Sequence, residues 1–172
     1  ETAPGHSTTM SGRFPVHTGI TANAQGVNNP AAPLIGGATE PGASPFRFIG
    51  TTLTDWMRAA DSSMRFLSVS RKDRGAILPI GKTRGDVYWW SASTGSFTTS
   101  KYYADTLPQW VQQFNAEKGY AGYAGKRWVL FLAPEGYVEP DTVWEESEGV
   151  DFVFPHPFPA ETTGVARLFA NY

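Results

Sequence analysis

The pattern of apolar and polar residues predicts three helices in addition to a short one that lies within residues 70–81. One is predicted over residues 2–12, where small polar residues beside a Pro-Gly pair open the helix and Gly12 ends it. A second is predicted over 53–60, behind a threonine cap, and a third over 107–118, with a proline in its first turn. The apolar face of the second helix consists of Leu53, Trp56, Met57 and Ala60. The apolar face of the third consists of Trp110, Val111 and Phe114.

Short apolar runs between these helices predict strands. A buried strand is predicted over residues 64–69, followed over 70–81 by a polar turn and a short helix. Two strand-like segments, 86–91 and 96–99, are joined by a Ser-Thr-Gly turn. A further apolar run covers 128–132. The order helix, strand, helix, strand, strand, helix predicts an α/β fold.

Two stretches lack these patterns and are predicted to be irregular. Residues 13–45 are low in charge and rich in Gly, Pro, Asn and Ala, which is typical of a long loop. Residues 133–160, rich in acids, proline and aromatics, indicate an insertion-like segment. We find no internal repeat and predict one partial domain over 1–172. The chain starts at Glu1 without a leader pattern and ends in an apolar stretch at 168–172, so we expect a segment of a longer protein.

Composition excludes several classes of function. Lys and Arg number 14 against 16 Asp and Glu, for a net charge of −2, which argues against a strongly basic nucleic-acid binder. The chain has no cysteine, so a disulfide scaffold, a thiolate zinc site and a cysteine nucleophile are excluded. No apolar run approaches the ~20 residues that span a bilayer.

A glycine-rich stretch after the first predicted strand is similar to a nucleotide-binding loop but fails its spacing. Five residues separate Gly75 from Gly81, where the phosphate-binding loop requires four. Such a loop wraps a phosphate with successive backbone N–H groups, and Pro79 removes one of these donors. We therefore do not expect the chain to bind a nucleotide through this stretch.

The histidines do not form a metal-binding motif in the sequence. They are His6, His17 and His156. They are far apart, and the chain has no His-x-x-x-His or Glu-x-x-His spacing. His156 lies between two prolines, where a loop position is favoured over a metal ligand. We expect His6 and His17 to orient the backbone rather than to bind a metal.

Three side chains are candidates for binding an anion. Thr2 stands at a predicted helix start, where free N–H groups and the helix dipole favour negative charge, although a capping threonine fits as well. Lys72 and Arg74 follow a predicted strand, where ligands bind in α/β sheets, and an extended segment would point both the same way. A solvated charge cluster is the alternative for this pair.

Together these residues resemble the alkaline phosphatase superfamily, in its phosphodiesterase/nucleotide pyrophosphatase branch. The first matching region is TAPGH at residues 2–6, with Gly12, Pro15, HTGI at 17–20 and Asn23. Lys72-x-Arg74, inside SRKDRGAILPIGK, is similar to the signature of the phosphate-irrepressible alkaline phosphatases. The string TGSFTTSKYYADTLPQWVQQFN resembles their central segment.

The resemblance implies a fold and a chemistry. The fold would be an alkaline-phosphatase-like three-layer α/β/α sandwich, incomplete in this chain. The activity would be phosphate monoester hydrolysis with two Zn²⁺ ions, with Thr2 as the nucleophile and a zinc ligand. Asn23 would donate to one phosphoryl oxygen, and Lys72 and Arg74 would bind the others. The remaining metal ligands would lie outside this chain, so we expect the segment alone to bind no zinc and to be inert.

The resemblance also sets the expected partners and the alternatives. Substrates would be small-molecule phosphate esters, with no nucleic acid polymer and no membrane span, and the protein would be periplasmic or secreted. One alternative is a phosphodiesterase or nucleotide pyrophosphatase of the same branch. Another, from a different class, is a non-catalytic domain that binds anions or a partner protein.

Overall fold

A computed structural model describes residues 1–141, 153–161 and 165. Contacts divide the chain into two compact units, Glu1–Ala116 and Glu117–Tyr172. The expectation of one partial domain concerns the longer family fold and stays a prediction.

The described residues form five α-helices, five strands and three 3₁₀-helices. The α-helices are α1 (Thr2–Ser11), α2 (Pro15–Thr18), α3 (Leu53–Ala60), α4 (Asp73–Ile80) and α5 (Gln109–Glu117). The strands are β1 (Leu67–Ser70), β2 (Asp86–Ser91), β3 (Ser96–Thr98), β4 (Arg127–Trp128) and β5 (His156–Pro157). The 3₁₀-helices are Asn23–Gln25, Gly119–Tyr123 and Pro134–Gly136.

Strands β1, β2 and β3 form a mixed sheet in that order. β1 runs parallel to β2, with Leu67 opposite Asp86, and β2 runs antiparallel to β3, with Trp89 opposite Thr98. The predicted strands at 86–91 and 96–99 are confirmed, with β3 one residue shorter. β1 begins three residues later than predicted because its pairing starts where β2 starts.

Helices cover both faces of this sheet in the first unit. α4 packs between α1 and the sheet, and Ser68 Oγ donates to the carbonyl of Ala76 at 2.8 Å across the helix–strand boundary. On the other face, the ring of Trp110 in α5 contacts Tyr88 edge-on, with centroids 5.2 Å apart. The expected α/β fold is therefore confirmed, and the core lies between α1, α4 and the sheet. Its members include Ala3, Ile20, Phe48, Ile77, Leu78, Val87 and Trp89.

Helix α3 is attached through its polar side. Thr52 and Thr54 donate their hydroxyl hydrogen bonds to the carbonyl of Ile80, at 3.0 and 2.8 Å, where α4 ends. The predicted apolar face of α3 is present but points to solvent. Leu53, Trp56 and Met57 are 45%, 52% and 37% exposed. The helix is thus held by hydrogen bonds to the C-terminal end of α4 rather than by its apolar residues.

The described residues of the second unit form little regular structure. β4 pairs antiparallel with β5, so that Trp128 lies opposite His156. The rings of Trp128 and Phe154 meet edge-on at 5.2 Å. Of the segment predicted to be irregular, residues 142–152 lie outside the described residues. No helix in the described ranges is long and apolar enough to cross a membrane.

Glu40, in the long loop between α2 and α3, binds the turn between β2 and β3. Its Oε1 accepts hydrogen bonds from Ser91 Oγ at 2.8 Å and from the Ser93 N–H at 3.0 Å. Its Oε2 accepts one from Ser93 Oγ at 2.7 Å. Burial alone raises the pKa of Glu40, but these hydrogen bonds outweigh it and lower the pKa from 4.5 to about 2.

This carboxylate makes the stability of the fold depend on pH. Because the folded pKa lies below the unfolded value, the stabilisation is present above pH 4.5 and is lost as pH falls toward 2. We expect Glu40→Gln to lower the free energy of unfolding by about 1–2 kcal/mol at pH 7, less than the full shift because the side chain is partly exposed. Urea unfolding at pH 7 and pH 3 measures this difference.

The exposed Glu135 provides the control, since Glu135→Gln removes a charge without removing such contacts. The difference between Glu40→Gln and the unmodified chain is expected to shrink at pH 3. An equal loss at both pH values would contradict the prediction that the charge of Glu40 is responsible.

Candidate active site

Thr2 is the first residue of α1, and Glu1 occupies the N-cap position. The N-cap side chain makes no capping hydrogen bond, and a threonine inside the helix does not take that role. Gly12, with φ 66°, ends the helix in the left-handed conformation, as predicted. The interpretation of Thr2 as a simple capping residue therefore loses its geometric basis. Its half-buried side chain stands at the positive end of a ten-residue helix.

The N–H groups at the start of α1 are largely engaged, contrary to the expectation of a free cradle. The N–H of Ala3 donates to Asn23 Oδ1 at 2.8 Å. The N–H of Gly5 donates to the carbonyl of Glu1 at 3.1 Å, and Pro4 has no N–H. An anion at this helix start would therefore depend mainly on side-chain donors.

Asn23 is held next to Thr2 by the same contact. Because only its amide oxygen can accept from the Ala3 N–H, the Nδ2 group is left as the donor of this side chain. The backbone N–H of Asn23 donates to Glu1 Oε2 at 2.6 Å, which fixes the residue a second time. The structure thus brings together two of the four predicted site residues, from positions 21 apart in the sequence.

The other two lie at the start of α4, in different conformations. Lys72 has extended backbone, with φ −113° and ψ 145°, and an exposed side chain. Arg74 is the second residue of the helix and is half-buried. The expectation that one extended segment points both the same way is wrong, because the helix begins between them at Asp73.

Arg74 is tethered by the residue before it. Its Nη1 lies 3.4 Å from Asp73 Oδ1, and its backbone N–H donates to the same oxygen at 2.6 Å. Its Nε is buried and has no acceptor among the described residues. Sequence analysis did not select Asp73. The available signal was an acidic residue between two cations in the first turn of a predicted helix.

α1 and α4 pack together at this end. A methyl group added to Gly75, in the first turn of α4, would lie 3.6 Å from His6 Nε2 and 2.5 Å from Ser70 Oγ. His6 is one helical turn from Thr2, and Gly75 follows Arg74 directly. The absence of a side chain at Gly75 leaves room for Ser70 at the end of β1, while His6 lies at an ordinary contact distance, so the start of α4 lies beside the first turns of α1. That His6 and His17 orient the backbone stays a prediction.

The described residues do not fit a zinc ion on their own. No three of their His, Asp or Glu side chains come close enough together to hold a metal. Zinc requires about four ligands, and Thr2 could contribute one oxygen at most. We therefore derive no reaction step through a metal for this chain.

Comparison with known proteins identifies the family. Alkaline phosphatase PhoV of Synechococcus elongatus is 36% identical over 183 residues, covering 99% of this chain. The crystal structure of wild-type alkaline phosphatase PafA matches with a TM-score of 0.80 and 29% identity over 97% of this chain. Over nearly its whole length the chain is similar to a segment of the alkaline phosphatases. A relative from Myroides odoratus named a calcium-transporting ATPase is 34% identical over 85% of the chain. No family model matches.

The match covers part of each alkaline phosphatase. The chain spans 32% of PhoV and 34% of the PafA chain. A crystal structure of a PafA mutant also matches, with a TM-score of 0.78 and 26% identity. In that mutant a threonine is changed to serine, and an asparagine, a lysine and an arginine are changed to alanine. The expected resemblance and fold class are thus confirmed.

Proposed function

We propose that this chain carries the nucleophile and the phosphate-binding residues of a phosphate monoester hydrolase. The observation that carries the proposal is the packing of α1 on α4, in which Gly75, next to Arg74, lies close to His6, one helical turn from Thr2. Thr2 would be the nucleophile. Asn23 and Arg74 would donate to the phosphoryl oxygens, and the exposed Lys72 would supply a further positive charge.

The PafA mutant supports this choice of residues. Its four substitutions fall on the same residue types, threonine, asparagine, lysine and arginine. Its threonine and asparagine are 21 positions apart, as are Thr2 and Asn23. Its lysine and arginine are two positions apart, as are Lys72 and Arg74. This agreement in type and spacing favours the same four positions over the other threonines and cations of the chain.

The residues have complementary tasks in phosphoryl transfer. The Thr2 oxygen would form a bond to phosphorus while the bond to the leaving alcohol breaks, giving a phosphothreonine. Negative charge on the phosphoryl oxygens would be met by Asn23 Nδ2 and by the guanidinium of Arg74. Since the N–H groups of Ala3 and Gly5 are engaged, these side chains would carry most of the electrostatic stabilisation that this chain can supply.

The two positive charges of the proposed site would favour binding of monoesters over diesters. A monoester dianion places one more negative charge on its phosphoryl oxygens than a diester does. Lys72 and Arg74 supply two positive charges at one helix start, which would favour the doubly charged ligand. A phosphodiesterase or nucleotide pyrophosphatase remains the alternative, and comparison of an aryl phosphate with its bis-aryl diester distinguishes the two.

The cofactor and location follow from the resemblance and are part of the proposal. The complete protein would bind two Zn²⁺ ions, with Thr2 as one ligand and the others supplied from outside these 172 residues. It would act in the periplasm or outside the cell on small phosphate esters.

The 172-residue chain by itself is expected to be inert. A threonine hydroxyl without an activating group has a pKa far above neutral, so almost no alkoxide forms. After equilibration with zinc, we expect less than one tightly bound ion per chain by elemental analysis. Hydrolysis of an aryl phosphate should not exceed that of a Thr2→Ala control. Two tightly bound zinc ions, or turnover well above that control, would show that this chain holds a complete metal site.

A further inference from the structure

The contact between Asp73 and Arg74 has a role in phosphate recognition. We propose that Asp73 is a positioning residue, which holds the Arg74 guanidinium in place for the phosphoryl group. The inference rests on the proposed function, in which Arg74 binds phosphate. Asp73 is negatively charged and would repel an anion directly, so its proposed role is exerted through Arg74.

Two contacts from one carboxylate oxygen fix the arginine. Asp73 Oδ1 accepts from the backbone N–H of Arg74 at 2.6 Å and lies 3.4 Å from its Nη1. The two side chains are 25% and 27% exposed, so both are partly withdrawn from water. Asp73 is the first residue of α4, and its own backbone is fixed by the helix. The carboxylate is therefore a rigid anchor for a long side chain.

The tether occupies one part of the guanidinium. A guanidinium donates in a planar fork, and the Nε and Nη2 hydrogens lie parallel, as two phosphate oxygens require. Asp73 contacts Nη1, which does not belong to the edge formed by Nε and Nη2. The Nε of Arg74 is buried and has no acceptor among the described residues. Because this Nε is closed to solvent, a phosphoryl group would contact the exposed part of the guanidinium, whose side chain is 25% exposed.

The proposal and simple electrostatics predict opposite effects of removing Asp73. A negative charge near a bound phosphate repels it, so charge alone predicts tighter binding when the carboxylate is removed. Positioning predicts weaker binding, because an untethered arginine must lose its side-chain freedom when the anion binds. The sign of the change therefore separates the two explanations.

The test is a titration of the 172-residue chain with inorganic phosphate, followed by NMR of the arginine Nε–H groups. We expect Asp73→Ala to bind phosphate about threefold to tenfold more weakly. Asp73→Asn keeps an oxygen in the same place and is expected to bind within about twofold of the unmodified chain. Serine is a favourable residue at a helix start but is too short to reach Arg74. We therefore expect Asp73→Ser to bind phosphate as weakly as Asp73→Ala, and it tests the loss of the contact without the loss of helix stability that alanine could cause.

Making Asp73→Ala in a variant that already lacks the Arg74 side chain tests whether Asp73 acts through Arg74. In an Arg74→Ala background, Asp73→Ala should no longer weaken binding and should strengthen it slightly, since only repulsion is removed. The Arg74 Nε–H resonance should shift on phosphate addition in the unmodified chain and in Asp73→Asn, and shift less in Asp73→Ser.

The outcomes distinguish this inference from the proposed function. If Arg74→Ala binds phosphate as tightly as the unmodified chain, Arg74 is not part of the phosphate site and the proposed function fails at that residue. If Arg74→Ala weakens binding while Asp73→Ala and Asp73→Ser strengthen it, only the positioning role of Asp73 is overturned. Loss of binding in Asp73→Asn equal to that in Asp73→Ser would also overturn it, because the retained oxygen would then have no effect.

Discussion

Replacing Thr2 by alanine is expected to abolish phosphoenzyme formation and to lower turnover by at least about 10³-fold, because no other group supplies the attacking oxygen. The substitution is made in the longest open reading frame that encodes this chain. The fold should be retained, since Thr2 is a helical position without a capping role and alanine favours helix. Rapid-quench labelling with a radioactive phosphate ester measures the burst of phosphoprotein directly.

Two further variants make the result specific to the hydroxyl of Thr2. Thr2→Ser keeps an oxygen nucleophile and should retain a measurable burst. Thr9→Ala alters an exposed threonine on the same helix, whose hydroxyl donates to the carbonyl of Gly5, and should leave the burst unchanged. A burst of normal size in Thr2→Ala would refute the assignment of the nucleophile.

Replacing Arg74 by alanine is expected to reduce kcat/KM for a phosphate monoester. The loss should correspond to about 2–4 kcal/mol of transition-state stabilisation, because a charge-assisted bidentate contact is removed. The loss for a diester should be smaller, since its phosphoryl group carries less charge. Steady-state kinetics on an aryl phosphate and its bis-aryl diester, in the same open reading frame, give both numbers.

Arg65 offers a matched control for this measurement. Its side chain is 89% exposed and pairs only loosely with Asp86, at 3.5 Å. Arg65→Ala removes one positive charge from the protein without touching the proposed site, so both activities should stay near the unmodified values. Equal losses on the two substrates in Arg74→Ala would show that this residue does not distinguish their charge.

Local signals account for the parts of the fold that sequence analysis predicted well. Gly12 and Thr52 mark helix boundaries through their own backbone and side-chain chemistry, so α1 and α3 begin or end where expected. β1 was displaced because a strand starts where its partner starts, and its partner begins at Asp86, far along the chain. The exposure of the apolar face of α3 could not be predicted from local sequence either, because burial depends on what packs around a helix.

The features of the candidate site also fall into those that local sequence predicts and those that only the folded structure shows. Thr2, Lys72 and Arg74 could be selected from residue type and position, because each stands at an element boundary that the local pattern reveals. The hydrogen bond between Ala3 and Asn23 joins helix α1 to a 3₁₀-helix further along the chain, and only the folded chain shows it. The engagement of the helix-start N–H groups was also missed, because the general rule treats them as free unless a specific acceptor is known.

The engaged N–H groups of α1 determine how the site should respond to ionic strength. A cradle of buried backbone N–H groups would bind an anion almost independently of salt. Here the positive charge belongs largely to Lys72, which is exposed, and to the half-buried Arg74. Mobile counterions reach such charges, with a Debye length of about 8 Å at physiological salt. If Lys72 and Arg74 bind phosphate as proposed, we expect affinity for phosphate to fall as salt is added and discrimination among anions to be greatest in dilute solution.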